Sequence, residues 1–426
     1  MRNALGWLVL VATPCLAASV FRASVVSVDI TPDGPQWLLG YDARQSNGVH
    51  DRISHRVVAM HDGQTEFVLV SSDLALISPA FYDEFTADLE RETGIRRLQV
   101  WWTVTHTHAA PEVGPSGLGR VFLGDRFTHD YDHAYTGRVR KSLIDSIKEA
   151  HAKLAPATLE VGTGMSLANI NRRSRDPQGH IFLGLNPYGP ADRQIGLVRL
   201  KRSDGSLMGL IVNYAIHGTV LAGSNLLISG DAPGIVAAYV EEKVGAPMLF
   251  INGAAGNIAP IYSGLPDFPE SHIQEFNVIL GDRILAANRD MAARAQAVSL
   301  VTGEQILETP RKQGLGWDDS LRNYIRTMQD GSALVRLPVR FLKISDEVVL
   351  WSLPVELFCE VAMHVRNRSP FAYTFYFGYA NGWLGYLPTR EAFSEGGYEV
   401  ETSPFSAQAE DDLTGAVVTY LQSLIR

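Results

Sequence analysis

The chain has few charged residues for its length. Asp, Glu, Lys and Arg make up 19% of its 426 residues, below the roughly 25% typical of soluble domains. Acidic residues outnumber basic ones 46 to 37, which gives a net charge of −9, and no run of Lys or Arg could follow a phosphate backbone. These absences exclude a coiled coil and a nucleic-acid-binding protein, so no nucleic acid is expected among its partners.

Cysteine is nearly absent as well. The sequence has two cysteines, Cys15 and Cys359, and removal of the N-terminal segment would leave Cys359 without a partner for an internal disulfide. The apolar helical pattern around Cys359 favours a buried side chain over a nucleophile. Stability must therefore come from the hydrophobic core, for which an apolar content of 46% is sufficient.

A long hydrophobic run occurs only at the N-terminus. Residues 4–12 are apolar, Pro14 interrupts the run, and Ala17 offers a small residue for cleavage. The run is shorter than the ~20 residues that a membrane span needs, so the pattern favours a signal peptide over a membrane anchor. We expect a signal peptide at residues 1–18, a mature domain at residues 19–426, and a secreted or periplasmic protein.

Strand-like and helix-like segments alternate along the rest of the chain. Residues 98–104 are β-branched and aromatic, whereas residues 133–154 and 273–297 carry apolar side chains at helical spacing. Turn signals at residues 203–205 and 345–347 predict two hairpins. No internal repeat or flexible linker divides the sequence. The pattern predicts an α/β fold, with a mixed β-sheet flanked by helices in a single large domain.

Two of the 12 histidines, His106 and His108, stand at the end of a predicted strand. In an extended chain their side chains would point to the same side. Paired imidazoles suit a metal ligand with a neighbouring acid/base group, and equally a hydrogen-bonded pair of loop histidines. His217 precedes Gly218 at another strand end. It too has two interpretations, a functional residue or a core histidine whose hydrogen bonds are satisfied.

Three further segments place polar or small residues next to predicted strands. Residues 252–260 form a small-residue loop that leaves room for a ligand, but it lacks the lysine of a phosphate loop, so nucleotide binding is not expected. Glu356 follows a strand and begins a helix, where the helix dipole alone would favour a carboxylate. The aromatic, glycine-rich segment 378–389 predicts a loop whose tyrosines pack with their hydroxyls in water.

Five segments, taken together and in order, resemble the neutral/alkaline non-lysosomal ceramidase family. They are His-Thr-His-Ala-Ala-Pro at 106–111, Ala-Ile-His-Gly at 215–218, Gly-Asn-Ile-Ala-Pro at 256–260, Pro-Val-Glu at 354–356 and Asn-Gly-Trp-Leu-Gly-Tyr-Leu-Pro-Thr at 381–389. The resemblance extends from about residue 25 to the C-terminus. It implies that the chain is similar to the catalytic N-terminal domain of that family.

The resemblance implies a zinc site. The zinc ligands of the family fall on His106, His217, Glu356 and Tyr386, so Zn²⁺ is the implied cofactor. Imidazoles with a carboxylate form a common catalytic zinc set, and a phenolate ligand is consistent because zinc lowers the pKa of the groups it binds. We expect these four side chains to converge although they are spread over 280 positions of the sequence.

The resemblance also implies three residues that act on the substrate. His108, the second histidine of the paired motif, would pass a proton to the leaving amine. Arg172 and Tyr398 match an active-site arginine and a substrate-facing tyrosine, and would stabilise the developing oxyanion. Several positions depart from the family motifs: Val355, Leu387 and Pro388 beside two of the zinc ligands, and Asn257 and Ala259 in the small-residue loop. Ala259 replaces a serine that is central to ceramide hydrolysis, so no hydroxyl is available there.

These features imply an exported zinc-dependent amidohydrolase that cleaves an N-acyl amide bond with zinc-activated water. Ceramide or a ceramide-like lipid is the expected substrate, with a role in sphingolipid metabolism. Two alternatives stay open: a zinc hydrolase for a different amide or ester, and a metal-binding homologue without catalysis. The expected partner is a small-molecule or lipid amide, and a peripheral contact with a membrane surface also stays open.

Removal of the signal peptide is the first testable prediction. The small residues at the end of the apolar run are the substrate pattern of signal peptidase, so protein recovered outside the cytoplasm should have a new N-terminus just after Ala17 or Ala18. N-terminal sequencing measures this directly. A recovered chain that still begins with Met1 would contradict the expected export.

Overall fold

A computed structural model of the protein describes residues 20–124, 129–263 and 272–425. The expected signal peptide, residues 1–18, lies outside the described residues. Strands and helices alternate along the described chain and assemble into mixed sheets with flanking helices, which confirms the predicted α/β fold class. None of the helices in these ranges combines the length and the apolar composition that a membrane crossing requires.

The largest element is an eight-stranded mixed sheet. In spatial order its strands are Met248–Asn252, Leu207–Tyr214, Gln194–Arg202, Ala155–Met165, Arg22–Asp29, Ser54–His61, Glu66–Ser72 and Val100–Val104. The outermost pair on each side is parallel, and the inner pairs are antiparallel. Every residue of the two edge strands is buried, as expected for parallel strands that are covered on both faces.

A second sheet of five strands packs against the first. Its strands are Val301–Pro310, Ile325–Thr327, Ala333–Lys343, Val348–Ser352 and Tyr373–Phe377. The hairpin predicted around residues 345–347 is present, because Ile344 N donates to Val348 O at 2.9 Å. One hydrophobic cluster joins the two sheets through side chains such as Leu69 and Trp101 on the first and Leu350 on the second. One part of the core therefore lies between the two sheets.

The remaining strands are short and lie near the strand ends of the large sheet. Three of them, Asn169–Arg175, Ile181–Asn186 and Ile258–Pro260, form a small antiparallel sheet. The others pair two by two: Trp37–Leu38 with Arg44–Gln45, Gly48–Val49 with Leu227–Ile228, and Glu356–Leu357 with Tyr386–Leu387.

Helices cover the outer faces of the sheets. The α-helices are Pro79–Thr93, Leu118–Leu123, His133–Ala152, Asp231–Val244, Asp282–Asp290, Cys359–Arg368, Arg390–Glu395, Tyr398–Glu401 and Ala409–Ser423. The helix His133–Ala152 agrees with the predicted long helix, and it buries Val139, Leu143 and Ile147 in the core. Cys359 is a buried free cysteine, as the sequence pattern predicts.

The second long helix, predicted over residues 273–297, is shorter than expected. A 3₁₀ turn at Ile273–Glu275 and a π-helical turn at Asn277–Gly281 lead into the α-helix Asp282–Asp290. The chain is extended from the next residue, and Gln296 N then donates to Leu159 O at 2.8 Å. Pairing with a neighbouring strand therefore overrides the helical spacing of the local sequence.

Candidate metal centre

His106 and His217 each follow a strand of the large sheet, and Asn252 ties the two strand ends together. The Asn252 side-chain amide donates to Ile216 O at 2.7 Å and to Thr105 O at 3.1 Å. Its side-chain oxygen accepts a hydrogen bond from Ile216 N at 3.1 Å. One buried amide thus sets the spacing of the residues that immediately precede both histidines. No motif in the sequence indicates this role for Asn252.

The two histidine-bearing loops also pair with each other. His108 N donates to Gly218 O at 2.8 Å, and Gly218 N donates to His106 O at 3.2 Å. A Cβ at position 218 would lie 2.6 Å from Cα of Thr107, so only glycine allows the backbones to approach this closely. The close approach that the sequence indicates for Gly218 is therefore present.

Main-chain carbonyls orient the imidazoles of His106 and His217. His106 Nδ1 donates to Ala75 O and His217 Nδ1 donates to Ile258 O, each at 2.8 Å. A ring that donates through Nδ1 in its neutral form presents a lone pair at Nε2. Both Nε2 atoms face Glu356, whose Oε2 lies 3.5 Å from His106 Nε2 and 3.2 Å from His217 Nε2.

His108 completes a cluster of three imidazoles. Its Nε2 lies 3.2 Å from His106 Nε2, and one ring nitrogen from each of His106, His108 and His217 lies within 4.8 Å of the others. The extended geometry expected for the histidine pair is wrong, because His106 has a left-handed φ of 64°. This strained turn, rather than strand alternation, brings the rings together.

Aromatic side chains hold the Glu356 carboxylate. Tyr379 Oη donates to Oε2 at 3.2 Å, and Trp383 Nε1 donates to Oε1 at 3.0 Å. The Tyr379 ring also stacks on His106, with the ring centroids 4.2 Å apart. Tyr379 is buried, so the expectation that the tyrosines of this segment keep their hydroxyls in water is wrong for Tyr379.

Glu356 lies in a short strand and not at the start of a helix. The strand Glu356–Leu357 pairs in parallel with Tyr386–Leu387, and the helix begins only at Cys359. This pairing sets Glu356 beside Tyr386, and both line the same cleft as His106. Burial, with the negative charge of Glu356 adding to it, raises the pKa of Tyr386 well above its ordinary value. A phenolate at Tyr386 therefore needs a nearby cation.

Arg172 is a buried cation next to the imidazoles. Its Nη1 donates to His217 Nε2 at 2.9 Å, which shows that this nitrogen presents a lone pair. Its Nε donates to Glu399 Oε1 at 2.8 Å, and Arg173 Nη1 donates to Glu399 Oε2 at 2.8 Å. Glu399 is fully buried, and no sequence motif links it to Arg172.

Tyr398 lies next to Tyr386. The ring centroids of Tyr386 and Tyr398 are 5.7 Å apart, and both rings line a cleft that also contains Arg172 and Ala259. Ala259 is buried in the strand Ile258–Pro260. Ala259, which replaces the serine of the family, therefore lines the same cleft as Arg172 and Tyr398, the two residues expected to contact the substrate.

The ionisation states at the centre follow from burial and charge. Burial alone would raise the pKa of Glu356, but its interactions with His106 and His217 hold this pKa well below its usual range. Burial and the charge of Arg172 lower the pKa of His217 to about 3. Burial and the neighbouring imidazoles hold the pKa of His108 well below 6.5. At neutral pH the Glu356 carboxylate therefore faces the unprotonated imidazole of His217.

These residues fit a metal ion. His106 Nε2, His217 Nε2 and Glu356 Oε2 are acceptors, and they face one another at 3.2 to 3.5 Å in a buried site. Acceptors so placed repel unless a proton or a cation lies between them. Two imidazole nitrogens and one carboxylate oxygen form a donor set typical of zinc and similar divalent ions.

Two clefts meet at this centre and share Gly40, His108, Tyr386 and Tyr398. We call the first the apolar cleft, because its wall includes the apolar side chains of Leu39, Ala75, Leu76, Ile77, Val113, Pro115, Phe122 and Trp383. The second is more polar and includes Tyr41, Asp42, Arg172 and Thr219. The arrangement can hold two parts of one substrate on either side of the metal centre.

Known proteins resemble this chain in sequence. The profile of the family described as "Neutral/alkaline non-lysosomal ceramidase, N-terminal" matches residues 21–260. A protein named neutral ceramidase from Mycobacterium tuberculosis is 29% identical over 247 residues, which covers 54% of this chain and 35% of that protein. A neutral ceramidase from Pseudomonas aeruginosa is 26% identical over 256 residues, which covers 56% and 37% respectively.

Solved structures resemble the chain in fold. The crystal structure of neutral ceramidase from Pseudomonas aeruginosa matches with a TM-score of 0.77 and 19% identity, over 95% of this chain and 74% of that one. A structure titled "Ceramidase complexed with C2" matches with a TM-score of 0.76 and 18% identity, over 95% and 75%. The matched sequence spans little more than a third of the two curated relatives, at 35% and 37% of their lengths.

Removing a hydroxyl that holds Glu356 should weaken metal binding. Tyr379→Phe keeps the ring against His106 but deletes one hydrogen bond to the carboxylate. Loss of such an outer partner lowers metal affinity by about 10- to 100-fold, which competition against a chromophoric zinc chelator measures. Tyr239→Phe, which removes an exposed hydroxyl bonded to Asp282, is the control. Equal zinc affinity in Tyr379→Phe and the parent would contradict this role.

Proposed function

The chain belongs to the neutral/alkaline non-lysosomal ceramidase family, and on this premise we propose that it is a zinc-dependent amidohydrolase that cleaves an N-acyl amide bond. The observation that carries the proposal is the meeting of His106 Nε2, His217 Nε2 and Glu356 Oε2 at 3.2 to 3.5 Å. Ceramide or a ceramide-like lipid is the substrate we favour, because relatives named neutral ceramidase match 54% and 56% of the chain.

Four residues would hold the ion. His106, His217 and Glu356 present their acceptor atoms to one another, and Tyr386 lies beside Glu356 in the paired strands. Zinc, when bound, polarises an amide carbonyl and activates water for attack. A bound zinc ion would also favour the phenolate form of Tyr386. Without the ion, burial raises the pKa of this phenol.

We assign proton transfer to His108. The Nδ1 of His108 is buried and makes no hydrogen bond to the described residues, whereas His106 and His217 are each fixed by a carbonyl. A ring without that restraint suits proton transfer better than ligation. His108 is neutral at pH 7 because its pKa lies well below 6.5, so it accepts a proton from the attacking water and passes it to the leaving nitrogen.

Arg172 would stabilise the charge that develops on the carbonyl oxygen. Its Nη2 has no hydrogen-bond partner within the described ranges, and the residue lines the polar cleft with Tyr398. Glu399 fixes the guanidinium through Nε at 2.8 Å. A charged donor that is already oriented and shielded from water stabilises an oxyanion without further reorganisation.

Ala259 favours a second candidate function. It faces the polar cleft with Arg172 and Tyr398, and it has no hydroxyl to offer a substrate at that point. A zinc hydrolase whose substrate is a different amide or ester would need no donor there. For either substrate class we propose that the protein acts outside the cytoplasm, because the N-terminal pattern is typical of a signal peptide.

Loss of one ligand should remove both zinc and activity. His217→Ala deletes one imidazole of the candidate ligand set, so zinc content should fall well below one ion per chain. Turnover of an N-acyl amide panel should fall by more than about 100-fold, because loss of a residue that only supports a metal ligand already lowers activity by up to that factor. Elemental analysis and hydrolysis assays measure the two effects. His364→Ala, at an exposed histidine, should change neither, and a His217→Ala variant with full zinc and full activity would contradict the proposal.

Restoring the family hydroxyl should raise ceramide hydrolysis. Ala259→Ser adds a donor in the polar cleft, and one such donor in the transition state is worth roughly 100- to 1,000-fold in turnover. Kinetics on ceramide for the parent, for Ala259→Ser and for the exposed control Ala292→Ser measure the gain. If Ala259→Ser gives no gain while the parent turns over an unrelated amide efficiently, the substrate is that of the second candidate function.

A further inference from the structure

The apolar cleft contains a carboxylate that the metal centre does not use. Glu112 lines this cleft and is 4% exposed. It follows His108 by four positions, yet its carboxylate bonds to Ser116 and His129 and not to the imidazoles of the centre. Burying a carboxylate among apolar side chains is costly unless hydrogen bonds compensate, so the position of Glu112 needs an explanation.

The Glu112 carboxylate is fixed in place. Ser116 Oγ donates to Oε1 at 2.7 Å, and His129 Nε2 donates to Oε2 at 2.7 Å. The His129 ring stacks on Trp37 with centroids 4.0 Å apart and an interplanar angle of 13°. Trp37 also anchors the backbone, because Glu112 N donates to Trp37 O at 2.7 Å. The carboxylate is thus oriented before any ligand arrives.

A fixed carboxylate in an apolar cleft discriminates between ligands. The bonds from Ser116 and His129 use two of its roughly four acceptor sites. A plain hydrocarbon chain in the cleft would shield Glu112 from water and give no hydrogen bond in return. A ligand with a donor at this depth would pair with the carboxylate and offset the loss of water. The cleft therefore suits a mainly apolar ligand that carries one polar donor.

We propose that Glu112 determines substrate specificity by selecting amides that carry a hydrogen-bond donor, a protonated amine or a hydroxyl, on the part that enters the apolar cleft. This inference rests on the proposed function, because it takes the cleft as the substrate site. Ser116 and His129 are positioning residues that keep the carboxylate turned toward the ligand.

The test is equilibrium binding of three probes to the full-length, zinc-supplemented protein. The probes are a long-chain primary alkylamine, the alcohol of the same length and its methyl ether, which has no donor. Calorimetry below the micelle concentration should show the amine and the alcohol binding at least about tenfold more tightly than the ether. Glu112→Gln keeps an acceptor oxygen but removes the charge, so the amine should lose about tenfold relative to the ether. The alcohol should change by less than about threefold.

Two further variants make the result specific. Glu149→Gln makes the same charge change at an exposed helix position, where Glu149 pairs with Lys153, and should leave all three affinities unchanged. Ser116→Ala removes one of the two bonds that orient the carboxylate, so it should reduce the amine-to-ether ratio. It also serves as the test if Glu112→Gln fails to fold.

Two results would overturn the inference: an ether that binds the parent as tightly as the amine and the alcohol, or an amine-to-ether ratio that neither Glu112→Gln nor Ser116→Ala changes. The assay needs no turnover. A protein that prefers donor-bearing probes through Glu112 but hydrolyses no amide would refute the proposed function and retain the specificity role.

Discussion

The hydrogen bonds from His106 Nδ1 to Ala75 O and from His217 Nδ1 to Ile258 O are the constraint on which the centre depends. Both acceptors belong to the main chain, so the direction of each ring follows the backbone at Ala75, just beyond the strand Glu66–Ser72, and at Ile258 in the small antiparallel sheet. Each bond also selects the tautomer that leaves Nε2 without a proton. Without them the rings could turn, and the meeting of nitrogen and oxygen acceptors at Glu356 would be lost.

Electrostatic balance then decides what the centre can hold. Glu356 is kept ionised by its neighbours, while His217 stays neutral because burial and Arg172 oppose a second positive charge. Arg172 is itself balanced by Glu399, which it shares with Arg173. The buried guanidinium groups of Arg172 and Arg173 therefore lie near the candidate ligands together with a shared counter-ion, the Glu399 carboxylate. This leaves the ionised Glu356, which faces the neutral imidazole of His217, as the group that attracts a metal ion.

Local pattern predicted much of the fold and a smaller part of the site. Turn chemistry identified the hairpin at residues 345–347, and strand ends followed by small residues or histidines identified where the clefts open. The helix expected to run to residue 297 ended early, because pairing with Leu159 is a long-range contact that helical spacing does not show. The left-handed turn at His106 was missed for a related reason, since no local rule predicts strain that distant contacts impose.

The partners of Glu356 and Arg172 were beyond sequence reasoning. Tyr379 and Trp383 are ordinary aromatic residues in a loop, and Glu399 is an ordinary acidic residue in a short helix, until the fold sets them against a charged side chain. Asn252 is a similar case, because its importance comes from two carbonyls on separate loops. Such groups are defined by three-dimensional neighbours and not by spacing along the chain.

The wide separation of the candidate ligands in the sequence has a consequence for biosynthesis. His106 and Tyr386 are 280 positions apart, and Glu356 reaches the imidazoles only after most of the chain exists. A nascent polypeptide still on the ribosome holds both histidines long before it holds the carboxylate that faces them. The centre therefore cannot assemble stepwise with translation. An ion held by all four candidate ligands would therefore bind only after residue 386 has been synthesised and folded into place.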